Sequence, residues 1–295
     1  PITRFDASKF KTQFACEVKG FNPEDYFDKK EARKLDAFSW YGIAASVQAM
    51  ADSGLDTANV DKNEIGVIWG SGIGGLDTFQ TETFAFAKGD GTPRFNPFFI
   101  PKIISDIAAG QISMKYGYRG PNFSPVAACA SSTIAIIEAV QLIQLGKADV
   151  IIAGGAEATI TEGAIGGFNS MKALSERNDS PETASRPYDK DRDGFVMGEG
   201  AGALILEEYE HAKKRGAKIY AEIIGYGMAG DASHITAPHP DGLGAYYAME
   251  NALNDAKISP DKVNYINAHG TSTPVGDPIE LNAVQRLFLE HNPNI

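Results

Sequence analysis

The chain has 295 residues, 43% of them hydrophobic and 22% charged, which is enough for one large globular domain or two coupled halves. Its formal net charge of −11 argues against a nucleic-acid partner. The sequence contains no run of 18 apolar residues, so no membrane span is predicted. Its two cysteines, Cys16 and Cys129, are far apart in sequence, which argues against a disulfide framework or a Cys-rich zinc site and favours a reducing cytoplasm.

Helix and strand patterns alternate along the first half of the chain. In chain order we predict a helix at 38–51, a strand at 65–69 that ends in the turn GSGIGG, a helix at 101–115, a strand at 123–127, a helix at 131–145 and a strand at 149–153. Because strand–helix–strand units pair in parallel through right-handed crossovers, this order predicts an α/β sheet protein.

A weak internal similarity links two regions of the chain. Both 49–75 and 252–273 run from a helix end through a polar turn and an apolar strand, IGVIW or VNYIN, into a loop of small and polar residues. One interpretation is two related halves, joined near residue 217 just before the predicted strand KIYAEIIGYG. The other is that any α/β chain repeats such units.

Cys129 is the first candidate for chemistry. It lies in FSPVAACASST, where a predicted strand runs into a predicted helix, so its thiol faces helical N–H groups and the positive end of the helix dipole. Both favour a thiolate, and the small neighbouring residues permit a sharp turn and a close substrate. The alternative is a small buried core residue, which is our prediction for Cys16 in the stretch FACEV.

A thiol nucleophile for acyl transfer needs a histidine nearby. The chain has five: His211, His234, His239, His269 and His291. We favour His269, because it follows the apolar stretch VNYIN and opens the loop NAHGTSTPVGDP, and catalytic groups in α/β proteins gather at the carboxyl ends of strands. His211 and His291 have polar surroundings typical of solvent exposure, whereas His234 and His239 lie in a loop that could border a site.

Several long motifs resemble those of the β-ketoacyl-[acyl carrier protein] synthases of the thiolase superfamily, in the same order. They are GSGIGG, NPFFIPKIISDIAAGQISMKYGYRGPN, VAACASS, AGGAEA, SRPYDKDRDGFVMGEGAGALILEE, HAKKRGAKIYAEIIGYG and NAHGTSTPVGDPIE. Together they cover essentially the whole chain, and Ile73 in GSGIGG resembles the elongating type II enzymes. The resemblance implies a thiolase-like fold, layered αβαβα, with two related halves.

The resemblance also implies an activity, a decarboxylative Claisen condensation. Cys129 would accept a fatty acyl group from the carrier protein as a thioester, and the carbanion left by decarboxylation of malonyl-carrier protein would attack that thioester. His269 matches the first of two histidines that assist decarboxylation, and Thr271 and Thr273 match residues that hydrogen-bond the phosphopantetheine arm. No bound cofactor is implied, since phosphopantetheine arrives on the carrier protein.

Other matching positions concern the acyl chain and the partners. Ile73, Phe99 and Phe168 match positions along the acyl pocket or its dimer wall, where an alkyl chain gains about 0.8 kcal/mol per buried CH₂. Lys172, in FNSMKALS, is a candidate docking cation for an acidic carrier protein, the alternative being a solvated surface lysine. A cytoplasmic homodimer acting in fatty-acid biosynthesis is expected.

Parts of the family pattern are not present in this sequence. No glycine turn of the VVVTGMG type precedes Pro1, and neither a KSxxGH-type motif, with the family's lysine and second histidine, nor a GFGG segment follows HGTST. We therefore expect an N-terminal half, 1–217, without its first strand, and a partial C-terminal half, 218–295. Such a chain would be unstable alone, or incompetent for the full reaction.

Two further functions fit the same motifs, a polyketide-type ketosynthase and a catalytically incomplete acyl-carrier-binding fragment. The presence of Cys129 favours chemistry over the latter. No metal site is expected, because DKDRDG places Asp189, Asp191 and Asp193 as in an EF-hand loop but has Gly200 where the bidentate glutamate is needed. A dinucleotide-binding loop is not expected at GSGIGG, because the next predicted strand carries no acidic residue for the ribose.

Overall fold

The computed structural model describes residues 1–57, 59–293 and 295, and divides them into two compact units. The sheet unit comprises Cys16–Ala164 and Gly198–Tyr220, and the helical unit comprises Pro1–Ala15, Ile165–Met197 and Ala221–Ile295. A search of the described residues found no helix long and apolar enough to cross a membrane.

The helices and strands of both units are numbered in chain order. They are α1 (Lys29–Ala32), α2 (Ala37–Ser53), β1 (Ile65–Gly70), α3 (Leu76–Lys88), α4 (Phe99–Ile103), α5 (Ile107–Tyr116), β2 (Asn122–Phe123), α6 (Ser131–Gln144), β3 (Val150–Glu157), α7 (Glu162–Ser170), β4 (Gly200–Glu207), α8 (Tyr209–Lys214), α9 (Leu243–Ala256) and α10 (Gly276–Phe288).

The strands form one sheet with the order β2-β1-β3-β4. β1 pairs in parallel with β2 and with β3, while β4 runs antiparallel to β3 from the Val150–Glu207 pair to the Glu157–Gly200 pair. The predicted α/β class is confirmed. Because β1 and β3 are parallel and in register from Ile65–Val150 to Gly70–Gly155, their carboxyl ends lie side by side.

The two faces of the sheet pack on different helices, as the alternation of side chains along a strand requires. Ile65, Val67 and Trp69 join the core cluster that includes residues of α2 and α5. Ile68 and Ile151 join a second cluster with residues of α6. All five side chains are at most 1% exposed, and each contributes roughly 1.5–3 kcal/mol by burial.

Helix α2 begins and ends at clear local signals. The Asp36 carboxylate accepts from Phe38 N–H at its N terminus, and Gly54 ends it with a φ of 61°. The same carboxylate also accepts from Thr78 N–H at 3.0 Å and from Thr78 Oγ1 at 2.6 Å. Asp36 is 3% exposed, so this pair joins the starts of α2 and α3 in the interior.

Three predictions for the sheet unit are wrong in detail. The helix predicted at 101–115 is two helices, α4 and α5, because the carbonyl of Ile103 accepts from Gly75 N–H rather than from the next helical turn. The strand predicted at 123–127 is limited to Asn122–Phe123, where β1 offers a ladder partner. Cys16, predicted to lie in the core, is exposed, and its carbonyl accepts from Glu199 N–H.

The strands predicted in the second half of the chain are also wrong. Residues 217–230 and 263–273 form no strand in the described structure, since a strand needs a ladder partner and these segments lack one there. They pack against helices instead. A Cβ at Gly227 would lie 2.0 Å from the Ala248 carbonyl of α9, which shows how closely this backbone packs. The helices α9 and α10 join through Leu253, Leu287 and Phe288.

Candidate active site

Cys129 lies in a strained turn at the entry to helix α6. The turn is a short 3₁₀ helix, Ala128–Ala130, and Ala128 has a φ of 48°, in the left-handed region that costs a residue with a Cβ about 1–2 kcal/mol. Helix α6 follows directly, and no side chain caps its N terminus. Its first N–H groups and the positive end of its dipole therefore face the turn. The predicted helix after Cys129 is confirmed, and Cys129 is exposed.

Ser131 stabilises this turn from inside. Its Oγ donates to the carbonyl of Ala128 at 2.8 Å and accepts from the N–H of Ala127 at 2.9 Å. Ser131 is 2% exposed, so these bonds are shielded from water. The hydroxyl thus supports the backbone immediately before Cys129 in its left-handed conformation.

Glycines at the ends of β1 and β3 let helix α6 approach the sheet. A Cβ at Gly70 would lie 2.5 Å from the carbonyl carbon of Ser131, and a Cβ at Gly155 would lie 1.9 Å from the Oγ of Ser132. No side chain fits in either space. The start of α6, and with it the Cys129 turn, therefore lies directly against the carboxyl ends of two parallel strands, through its backbone at Gly70 and through the Ser132 side chain at Gly155.

The loop after β1, residues 71–75, is held by the carboxylate at the end of β3. Glu157 Oε2 accepts from Gly72 N–H at 2.8 Å and from Ile73 N–H at 3.1 Å, and its Oε1 accepts from Ser71 Oγ at 3.2 Å. Burial raises the pKa of Glu157, and the hydrogen bonds from the loop oppose that rise. We call residues 71–75 the glycine loop.

The acyl-pocket candidates of the sheet unit lie along this loop and the adjoining helix. Ile73 is 43% exposed at the tip of the glycine loop. Phe99 is half-buried at the first residue of α4, and its ring stacks on Phe95 at 5.1 Å and on Phe79 at 6.3 Å. The glycine loop contacts the far end of the same helix, because Gly75 N–H donates to the Ile103 carbonyl at 3.2 Å.

In the helical unit, the loop 269–273 carries the other polar candidates, and we call it the histidine loop. His269 is exposed, and its backbone N–H donates to Glu280 Oε1 at 2.5 Å. The N–H of the next residue, Gly270, donates to Glu280 Oε2 at 2.8 Å. The hydroxyls of Thr271 and Thr273 lie 3.0 Å apart, so the loop presents two adjacent hydroxyls beside the histidine.

A second carboxylate of α10, that of Asp277, supports the other end of the histidine loop. It accepts from Tyr188 N–H at 2.7 Å and from Thr273 N–H at 3.3 Å, and it lies 3.4 Å from the Arg192 guanidinium. Asp277 is 1% exposed and Arg192 16%, so the pair is buried. Arg192 also donates to the Thr273 carbonyl at 2.8 Å. Partial burial and the hydrogen bond from its hydroxyl to Glu280 raise the pKa of Tyr188.

The remaining two candidates lie at the end of α7. Phe168 is half-buried, with its ring edge-on to Phe195 at 5.3 Å. Lys172 is exposed just beyond the helix, with a φ of 54°. The position is accessible to a partner, and its side chain is available for charge attraction.

The predicted site residues divide between the two units. The sheet unit carries Cys129, Ile73 and Phe99, and the helical unit carries His269, Thr271 and Thr273 on one loop, together with Phe168 and Lys172. Sequence reasoning missed the three carboxylates that hold the two loops, Glu157, Asp277 and Glu280. A signal existed in the motifs, since AGGAEA ends β3 with an acidic residue, and GDPIE places two carboxylates three residues apart on α10.

Comparison with known proteins agrees with this architecture. The family model "Beta-ketoacyl synthase, N-terminal domain" matches residues 1–212, and the model "Beta-ketoacyl synthase, C-terminal domain" matches residues 220–295. The 3-oxoacyl-[acyl-carrier-protein] synthase 2 of Vibrio cholerae is 50% identical over 289 residues, 98% of this chain and 70% of that protein. The enzyme of the same name from Staphylococcus aureus is 51% identical over 98% of this chain and 69% of its own length.

Solved structures show the same similarity. A β-ketoacyl synthase from Burkholderia phymatum matches with a TM-score of 0.87 and 35% identity, over 95% of this chain and 68% of its own. A type II PKS ketosynthase, solved with its acyl-carrier protein, matches with a TM-score of 0.83 and 34% identity, over 98% of this chain and 71% of its own. The fold is thiolase-like, and the chain belongs to the β-ketoacyl synthase family.

Proposed function

We propose that this chain acts as a 3-oxoacyl-[acyl-carrier-protein] synthase that elongates a fatty acyl group by two carbons. The observation that carries the proposal is the exposed Cys129 in a left-handed turn at the uncapped N terminus of α6. A thiol in that position is the arrangement expected of an acyl-accepting nucleophile. The relatives named 3-oxoacyl-[acyl-carrier-protein] synthase 2, which are 50% and 51% identical in sequence to this chain, support the same reaction.

In the proposed first step, Cys129 takes the acyl group from the carrier protein. The Cys129 sulfur attacks the thioester carbonyl carbon, the new S–C bond forms, and the phosphopantetheine thiol leaves with the proton that the Cys129 thiol gives up. Charge develops on the carbonyl oxygen during this step. The backbone N–H of Cys129 and the N terminus of α6 supply partial positive charge for it.

In the proposed second step, a malonyl group loses carbon dioxide and attacks the enzyme thioester. The C–CO₂ bond breaks, and its electron pair forms the new C–C bond to the acyl carbon while the Cys129 thiolate leaves. We assign His269 to assist decarboxylation, by hydrogen bonding to the enolate oxygen that develops. Thr271 and Thr273 hold the phosphopantetheine arm, for which their adjacent hydroxyls are suited.

The two cysteines give this proposal a matched test. Both are exposed, but only Cys129 lies at the entry to a long helix. The chain is incubated with octanoyl-carrier protein, and the adduct is located by intact mass and peptide mapping, with Cys129→Ser and Cys16→Ser as variants. An adduct at Cys129 that persists in Cys16→Ser and is lost in Cys129→Ser is the expected result. No adduct, or equal modification of both cysteines, contradicts the proposal.

The proposed partner is an acyl carrier protein, with Lys172 as a docking cation. The type II PKS ketosynthase solved with its carrier protein supports such a partner for this family. Lys257 is a close control, since it is also exposed, lies just beyond a helix of the same unit, and has a φ of 56° against 54° for Lys172. Lys172→Glu is expected to slow acylation about tenfold at low salt, and Lys257→Glu to leave it unchanged. Equal rates in the two variants contradict the docking role.

We also propose that the chain works as a homodimer in the cytoplasm, where exposed thiols persist. Strand β2 lies at the sheet edge with both residues exposed, and Ile100, Ile104 and Phe98 on and beside α4 are 40–56% exposed. Such an edge and apolar surface are typical of an interface. Ile100→Glu is expected to lower the mass measured by light scattering to that of a monomer, whereas the control Ile235→Glu, at a site 94% exposed, leaves it unchanged.

A polyketide-type ketosynthase is the second candidate, because solved relatives include the ishigamide ketosynthase/chain length factor, with a TM-score of 0.88 and 29% identity. The relatives at about 50% identity favour the fatty-acid reaction. Mass spectrometry of the carrier-bound product separates the two. One two-carbon extension supports the fatty-acid enzyme, and repeated extension without reduction supports the polyketide enzyme.

A further inference from the structure

Glu157 is a half-buried carboxylate that the proposed chemistry does not use. It ends β3, the strand beside β1, and its two oxygens are committed to the glycine loop rather than to a cation. Burying a carboxylate costs free energy unless hydrogen bonds compensate it, and here the compensation comes from loop residues about 85 positions earlier in the chain. That cost suggests a role beyond folding.

The glycine loop lies directly against the turn that carries Cys129. A Cβ added at Gly72 would be 3.0 Å from Glu157 Oε2 and 3.3 Å from the Ala128 carbonyl oxygen. Gly72 therefore packs against both the carboxylate and the backbone of the residue that precedes the nucleophile. Ala128 is also the residue with the left-handed φ of 48°.

Apart from the bond from Gly75 N–H to the Ile103 carbonyl, the hydrogen bonds that hold this loop in the described structure converge on Glu157. Its N–H groups at Gly72 and Ile73 donate to Glu157, and Gly74 N–H donates to Ser71 Oγ, which itself donates to Glu157. Four groups of the loop therefore depend, directly or through Ser71, on one carboxylate. Without it, the two N–H groups lose their acceptor and the loop is free to move off the Ala128 turn.

We propose that Glu157 is a positioning residue for Cys129: through the glycine loop it holds the Ala128 turn in the geometry in which the thiol reacts. This inference deepens the proposed function and rests on Cys129 being the acyl acceptor. A displacement of about 1 Å at a reacting atom can lower the rate on the order of 100-fold. Loss of the Glu157 contacts is therefore expected to affect the rate of acylation more than the stability of the fold.

Three variants separate positioning from stability. Glu157→Ala removes the acceptor. Glu157→Gln keeps an oxygen that can turn toward Gly72 and Ile73, while its amide group donates to Ser71 Oγ. Glu162→Ala is the matched control, since Glu162 is a carboxylate of the same unit that accepts from the side chain of Gln80, and its hydrogen bond does not involve the glycine loop.

The first measurement is single-turnover acylation by octanoyl-carrier protein, with the maximal rate and the half-saturating concentration determined separately. Glu157→Ala is expected to lower the maximal rate at least tenfold with an unchanged half-saturating concentration, Glu157→Gln to recover most of it, and Glu162→Ala to match the unmodified chain. A Glu157→Ala rate within twofold of the unmodified chain overturns the proposal. So does an equal loss in Glu162→Ala.

The second measurement needs no carrier protein and therefore separates failure of this inference from failure of the proposed function. Alkylation of Cys129 by iodoacetamide and amide exchange at Gly72 and Ile73 are followed in the same variants. In Glu157→Ala alone, we expect the rate of Cys129 alkylation to change at least threefold from that of the unmodified chain. In the same variant, amide exchange at Gly72 and Ile73 should become faster. If Glu157→Ala does not fold, Gly72→Ala disturbs the same contact from the loop side, and unchanged alkylation there overturns the proposal.

Discussion

The two units hold their candidate groups by different means. In the sheet unit, the Cys129 turn is placed by close contacts of Gly70 with the Ser131 backbone and of Gly155 with the Ser132 side chain, and by the buried hydroxyl of Ser131. In the helical unit, the histidine loop is placed by the carboxylates of Asp277 and Glu280. Close packing suits a nucleophile that needs one fixed backbone geometry, whereas carboxylate contacts orient N–H groups of a loop that carries exposed polar side chains.

This difference predicts which kinds of substitution each unit tolerates. The turn should be most sensitive to volume added at its packed glycines, and the histidine loop should be most sensitive to loss of its carboxylates. Four experiments test it, from the largest expected effect to the smallest.

Asp277→Ala breaks the buried pair with Arg192 and leaves Tyr188 N–H without its acceptor. Removing one partner of a buried ion pair typically costs about 3–5 kcal/mol, and we expect the free energy of unfolding in urea to fall by that order. The control is Asp261→Ala, whose partner Lys262 is 68% exposed, and it should leave the free energy of unfolding nearly unchanged. Similar decreases in the free energy of unfolding in both variants would contradict a special contribution of the buried Asp277 carboxylate to stability.

Gly70→Ala places a methyl group 2.5 Å from the backbone of Ser131. Because backbone cannot move aside as a flexible side chain can, we expect a loss of about 3 kcal/mol in urea unfolding and a changed rate of Cys129 alkylation. Gly110→Ala is the matched change, since that glycine lies inside α5 with nothing within 4 Å. It should be neutral or stabilising by up to about 1 kcal/mol. A harmless Gly70→Ala contradicts placement by close packing.

Ser131→Ala removes the hydroxyl that bonds both sides of the turn. Two backbone groups, Ala127 N–H and Ala128 C=O, lose a partner, so we expect a cost of about 1–2 kcal/mol and a severalfold change in Cys129 alkylation. The neighbouring Ser132 is exposed, and Ser132→Ala should change stability by less than about 0.5 kcal/mol. Equal rates of Cys129 alkylation in the two variants would contradict a role for Ser131 in holding the turn.

The smallest effect concerns pH and two carboxylates of the sheet unit away from the turn. Burial raises the pKa of Asp36, so the folded state binds its proton more readily, and this group lowers stability as pH rises from the unfolded value of about 3.9 through the raised folded value. Burial also opposes ionisation of Glu207, but hydrogen bonds from Arg215 and His211 lower its pKa overall. Its contribution is therefore complete above the unfolded value, about 4.3, and is lost as pH falls through the lowered folded value.

Unfolding in urea at a series of pH values checks both signs. Relative to the unmodified chain, Asp36→Asn is expected to gain stability as pH rises through its window, and Glu207→Gln to lose stability above pH 4.3 or so. Parallel pH profiles for the three proteins would contradict both assignments.

Much of the site was predictable because it depends on short-range sequence. The helix after Cys129, the small residues around the thiol and the polar loop that begins at His269 are local features, and the structure contains each of them. Local reasoning failed where a backbone group found a distant partner. The break between α4 and α5 follows from Gly75 donating to Ile103, and the predicted strands at 218–227 and 263–267 have no ladder partner in the described residues.

The sequence by itself determined the family, the α/β class of the sheet unit and the place of Cys129 at the entry to a helix, because motif, periodicity and composition are all written in consecutive residues. Only the tertiary structure decided that Glu157 supports the glycine loop and that Asp277 and Glu280 support the histidine loop. The motifs place these carboxylates at the ends of elements, but they do not say from which groups each carboxylate accepts. Its donors are backbone N–H groups present at nearly every position, and folding alone selects which of them lie within 3 Å or so.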